Sequence, residues 1–140
     1  MGYDISKVDE AYRVALKADI ARESFRHFIE FVAPKYEFNW HHLQIIDALQ
    51  RLAERKYQRL IVMCPPRHGK SELVSVLFPA WCFARNSSEH VILASYAFGL
   101  ASRMNRECQR IISGDVFREL FPQITFAKDT EPGAIRTNER

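Results

Sequence analysis

Glycine is scarce in this sequence, with five residues among 140, and cysteine is scarcer still at three. An odd number of cysteines, with Cys64, Cys82 and Cys108 spread over segments that read as a strand end and two helices, excludes an obvious disulfide framework and fits a reducing cytosol. No apolar run approaches the roughly 18 residues of a membrane span, and the opening stretch MGYDISKVDEAYR lacks the apolar centre of a signal peptide. A soluble chain in a cytoplasm is expected. Repeats and low-complexity tracts are missing too. Charge is nearly balanced: twenty Lys and Arg face seventeen Asp and Glu, and the formal net charge of +3 is too mild to announce nucleic acid by itself. What the chain does have is apolar substance, 47% of its residues, ample for one packed core.

Helical spacing dominates the first third. Val8, Ala11, Tyr12, Ala15 and Leu16 recur as on a helix that starts near Lys7, where Ser6 and Asp9 resemble a capping box. Phe25, Phe28, Ile29 and Val32 continue the pattern until Pro34, which has no N–H and disfavours helix at the residue before it. A third helix is expected from His41 to about Arg55, with Leu43, Ile45, Ile46, Leu49 and Leu52 on its apolar stripe. RLIVMC and VILAS then read as short buried parallel strands flanking the helical stretch KSELVSVLFPAWCFAR, one strand–loop–helix–strand unit. A helix from about Phe98 to Ile112 follows, with Arg103, Arg106 and Arg110 on one face, then a short helix stopped by Pro122. The last eighteen residues, which include Gly133, show no clear period. The expected fold is therefore α/β, an incomplete parallel sheet of the phosphate-binding-loop NTPase type preceded by N-terminal helices. Its division is residues 1–57, helical, and residues 58–140, a partial ATPase core.

The segment MCPPRHGKSELVS, Met63 to Ser75, carries the chemistry. A triphosphate calls for converging backbone N–H groups, a helix start, a mobile cation and a hydroxyl for the metal. Arg67, His68, Gly69, Lys70 and Ser71 each keep an N–H; Gly69 can take a positive φ, Lys70 can reach the β and γ phosphates, and Ser71 can ligate magnesium. The glycine that usually opens such a loop is replaced by Cys64, and Pro65 and Pro66 give up donors while stiffening the approach. Arg67 is an extra cation, able to offset charge developing at the γ phosphate or simply to pair with a carboxylate. ATP and Mg²⁺ are the expected cofactors.

LIVMCPPRHGKSELVSVLFPAW, followed by HVILASYAFGLASRMNRECQRII and FRELFP, resembles the N-terminal ATPase region of the large terminase subunits of tailed bacteriophages and prophages, over roughly residues 25 to 125. That resemblance implies an ATP-driven motor that packs double-stranded DNA in a bacterial host cytoplasm, with a small terminase subunit, a portal protein and further copies of itself as partners. Loops with arginine ahead of the glycine-lysine pair are typical there. It implies the loop lysine for Lys70, the magnesium-side hydroxyl for Ser71, for Arg67 the loop arginine that some members use as a cis finger while others place a trans arginine elsewhere, and adenine contact from FNWHHLQIIDAL, with Gln44 the best candidate because an amide both donates and accepts. Trp40 is read as a core aromatic at a helix start, with stacking on the base as the alternative; Ser95 and Tyr96 either sense nucleotide or pack.

One departure stands out. Hydrolysis asks for a carboxylate at the end of a further strand, to hold magnesium and polarise water, and neither MCPP nor ASYA offers one. The expectation is the front of a terminase without its second acidic motif or nuclease domain, or a non-catalytic prophage remnant that binds nucleotide weakly or not at all; a small unrelated kinase fits poorly. Whether the chain is an enzyme stays open at this point. The basic candidates for DNA are the Arg103, Arg106, Arg110 row and the Arg51, Arg55, Lys56, Arg59 cluster. Adjacent His41 and His42 point about 100° apart on a helix and make no metal site. Met63, Met104 and the phenylalanines are assigned to the core.

Overall fold

The computed structural model describes residues 5–124, with side chains from Asp9 onward. The final residues beyond Ile124, Gly133 included, and the side chain of Ser6 lie outside the described residues. Helices come in this order: α1 (Ile5–Glu23), α2 (Phe25–Val32), α3 (Trp40–Ala53), α4 (Lys70–Glu72), a π-helical turn (Leu73–Leu77), α5 (Phe78–Arg85), α6 (Phe98–Ser113) and α7 (Asp115–Leu120). Helical periodicity thus located its elements to within two residues. Helix α1 starts at Ile5, slightly ahead of the expected Lys7.

Each boundary has a local cause. Ser24 Oγ accepts from the His27 N–H at 3.4 Å and caps α2. Gln50 of α3 reaches the same junction: its Oε1 accepts from the Phe25 N–H at 3.1 Å and its Nε2 donates to the Glu23 carbonyl at 3.0 Å. Helix α3 closes through Arg55 at φ 63°, with Lys56 N–H on the Arg51 carbonyl and Arg55 N–H on the Leu52 carbonyl, a paired closure that satisfies orphan carbonyls. Pro79 has no N–H for the Ser75 carbonyl, and the π turn sits immediately before it, with Phe78 N–H bonding back to Leu73. Lys70 to Arg85 is consequently one helical run with a widened middle.

The core is aromatic and is built by helices from both halves of the chain. Phe25 stacks on Trp81 with centroids 5.0 Å apart, Phe28 meets Phe117 edge-on at 6.2 Å, and Phe117 meets Phe121 at 4.9 Å. Trp81 Nε1–H donates to the Ala21 carbonyl at 2.8 Å, so the largest core side chain also ties α5 to α1. Around these rings α1 packs on α2, α5 and α7, and α6 packs on the π turn, α5 and α7.

The parallel sheet expected from RLIVMC and VILAS is not formed. Among the described residues there is no strand, and the α/β, NTPase-type sheet is corrected to an all-helical arrangement with two unpaired extended segments, residues 60–64 and 91–95. Leu60 and Val62 still pack against the core, whereas Ile61 and Met63 are 85% and 90% exposed and Ile92 is 93% exposed. Period-two alternation thus survives over residues 60–64 without a ladder. A lone pair of strands is marginal in water and parallel pairing is the weaker kind, so two segments separated by a helix have too little to gain from closing on each other.

Candidate functional site

Residues 64–69 lead from the first extended segment into α4. His68 Nδ1 lies 2.8 Å from the Pro66 carbonyl and closes the turn. Two residues then take the left-handed region, Arg67 at φ 64° and Gly69 at φ 71°. Gly69 needs to be glycine twice over: its φ is unfavourable to side chains, and a Cβ there would stand 2.8 Å from His42 Nε2 and 3.0 Å from Tyr36 Oη. Arg67 has no such licence. Unlike Arg55, whose left-handed turn ends a helix in the ordinary way, it holds a costly conformation inside a loop, and such strain gathers at functional sites.

Cys64 to Glu72 wall a single open cavity of about 440 Å³, lined among others by Arg67, His68, Gly69, Lys70 and Ser71. Among the described residues no carboxylate forms an ion pair with Arg67 or Lys70, while Arg13, Arg22, Arg26, Arg51, Arg55, Lys56 and Arg103 all have one. The loop cations are therefore available to an anion. Gln44 is not part of that cavity. It opens onto a neighbouring one of about 470 Å³ with Trp40, His41, Ile45 and Met63, and the two cavities share Cys64, Pro65 and His68 as walls.

Several assignments change. Trp40, read as a core aromatic, is 73% exposed at the start of α3, and Met63 and Phe98, assigned to the core, are exposed as well. Met104 does pack against it. Ser95 ends the second extended segment and Tyr96 starts a bend, both exposed, with Ser95 Oγ accepting from the Ala97 N–H at 3.4 Å. Of the basic groups, Arg51 pairs with Asp47, Arg55 with Glu89, Lys56 with Glu54 and Arg103 with Glu107, so part of the positive charge of each group is compensated locally. Cys82 and Cys108 are free thiols whose pKa burial pushes up to about 11.

Sequence reasoning passed over the other side of the loop. Tyr36, His41, His42, Arg67, His68 and Glu72 help to wall a third cavity of about 800 Å³. Tyr36 Oη and His41 Nε2 are buried there without a hydrogen-bond partner among the described residues. Burial, reinforced by the Glu72 carboxylate, raises the Tyr36 phenol to about 12, so it stays a neutral donor. Among the described residues His42 is the one buried polar side chain. The signal was the spacing Tyr36, Phe38, Trp40 with two histidines behind it, which periodicity alone does not distinguish from packing. Among the described residues no group of three or more His, Cys, Asp or Glu is placed to hold a metal ion, and no helix is long and apolar enough to cross a membrane. No protein-family model, curated protein or solved structure matches the chain.

Proposed function

We propose that the Cys64–Glu72 loop binds the phosphates of ATP with magnesium, and that the chain contributes this nucleotide site to a terminase-type DNA-packaging ATPase. The loop supports the first half of this reading; the resemblance of LIVMCPPRHGKSELVSVLFPAW and the segments after it to terminase large subunits supports the second. The observation that carries it is the gathering of Arg67, Lys70 and Ser71 in one cavity with neither cation paired among the described residues. In a solvated loop that holds Arg67 in the left-handed region beside a lysine unpaired among the described residues, an anion with several oxygens is the fitting guest. Lys70 supplies the mobile charge, Arg67 a second one, and the exposed Ser71 hydroxyl a ligand for magnesium, which when bound offsets the negative charge of the phosphates. Gln44 and the adjoining cavity are assigned to adenine. DNA, a small terminase subunit, a portal protein and further copies of the chain are its proposed partners, in a bacterial cytoplasm.

Binding is proposed here rather than turnover by this chain alone. Neither extended segment, 60–64 or 91–95, carries an Asp or Glu to hold the metal and polarise the attacking water. Fluorescence anisotropy of a labelled ATP analogue with magnesium provides the test. Lys70→Ala should weaken binding about tenfold or more, the worth of a lost charge-assisted contact, and wild-type protein should release phosphate at background rate. Equal affinity in Lys70→Ala and wild type removes the phosphate site; steady hydrolysis removes the claim of binding without turnover.

A further inference from the structure

Resting on the nucleotide reading of the loop, we propose that His42 is a positioning residue: it fixes the His68–Gly69 peptide so that the Gly69 N–H faces the phosphate cavity. His42 sits in the first turn of α3, 8% exposed, with both ring nitrogens engaged. Its Nδ1 lies 3.1 Å from the Asn39 N–H, a group that can only donate. Nδ1 therefore carries the lone pair in the neutral ring, and the proton is on Nε2. That nitrogen lies 3.1 Å from the His68 carbonyl oxygen, which can only accept. The Glu37 carbonyl, 3.2 Å from Nδ1, becomes an acceptor only if the ring takes a second proton, and Nε2–H still donates to His68 in that form. The tether thus holds in either state.

The consequence follows from peptide geometry. In a trans peptide the C=O and the next N–H point in opposite directions, and the backbone has no cis bond among the described residues. Drawing the His68 carbonyl toward α3 turns the Gly69 N–H away from α3. The ring also stands so close to Gly69 that a Cβ would meet Nε2 at 2.8 Å, which keeps the loop pressed against α3. A contact 26 residues away in sequence thereby selects which face of one peptide a phosphate meets.

The two nitrogens can be separated by substitution. In His42→Gln the side-chain amide reaches the Nε2 position and can donate to His68, while in His42→Asn it reaches only the Nδ1 position and can accept from Asn39. Anisotropy with the labelled ATP analogue should give affinity within about threefold of wild type for His42→Gln and a loss of roughly tenfold for His42→Asn, the span of one hydrogen bond. Hydrogen–deuterium exchange of the nucleotide-free loop should rise over residues 66–71 in His42→Asn and stay near wild type in His42→Gln. A ranking of affinity that follows thermal stability, whichever nitrogen is preserved, overturns the assignment, as does unchanged loop exchange in His42→Asn. If the wild-type chain fails to bind the analogue, the nucleotide reading falls, and the exchange pattern still decides whether His42 holds the loop.

Discussion

The aromatic cluster around Trp81 and the extended segments 60–64 and 91–95 are equally apolar in sequence, yet one is sealed and the other lies open to water. Trp81, Phe25, Phe28, Phe117 and Phe121 are all buried, while Ile61, Met63 and Ile92 are exposed. The difference lies in where backbone polar groups find partners. A helix satisfies its own N–H and C=O groups, so any helix with one apolar face can join a core as a finished unit. An extended segment is finished only by a neighbour. Hydrophobicity states what prefers burial; the hydrogen-bond partner decides whether burial happens.

The contrast is broken most sharply by deleting its strongest element. Trp81→Ala should cost about 3–5 kcal/mol in chemical denaturation, the range for an aromatic removed from a packed core, since it also strands the Ala21 carbonyl. Next comes Gly69→Ala, where a left-handed backbone and two crowded neighbours predict a loss of about 1–3 kcal/mol together with weakened binding of the ATP analogue. Alkaline pH should act more gently on the core. Cys82 and Cys108 ionise at 9.0 when unfolded and near 11 when buried, so the unfolded chain sheds protons first. Their contribution is intact below pH 9 and fades as pH climbs through 11; urea midpoints should show this decline, and the Cys82→Ala, Cys108→Ala double variant should flatten it. The smallest effect belongs to the open segments: Ile61→Ser and Ile92→Ser should each shift stability by no more than about 0.5 kcal/mol while raising solubility. A large loss from either would mean that these segments are paired in solution.

The same contrast explains what could be read in advance. Helices α2, α3, α6 and α7 announced themselves because the residues that set their period and their stops, such as Phe25, Phe28 and Ile29 before Pro34, are neighbours in the chain. The loop was legible for a similar reason, as Gly69, Lys70 and Ser71 are consecutive. Sheet formation was not legible, because RLIVMC and VILAS specify an inner and an outer face but not a partner. Met63 and Trp40 were misplaced through the same omission: each is apolar, yet each is exposed and lines the cavity beside Gln44. The role of His42 depends on a carbonyl in another element, something no local pattern records.

Trp40 and Trp81, the sequence's two tryptophans, stand at opposite extremes of solvent contact. Trp81, enclosed and with Arg85 lying 4.9 Å over its ring, should emit to the blue and resist iodide, whereas Trp40, on the rim of the Gln44 cavity, should emit to the red and quench readily. Nature has thus installed two optical channels in one chain, one watching the interior and one watching the mouth of the loop, and a guest arriving beside Gln44 should dim the second while leaving the first untouched.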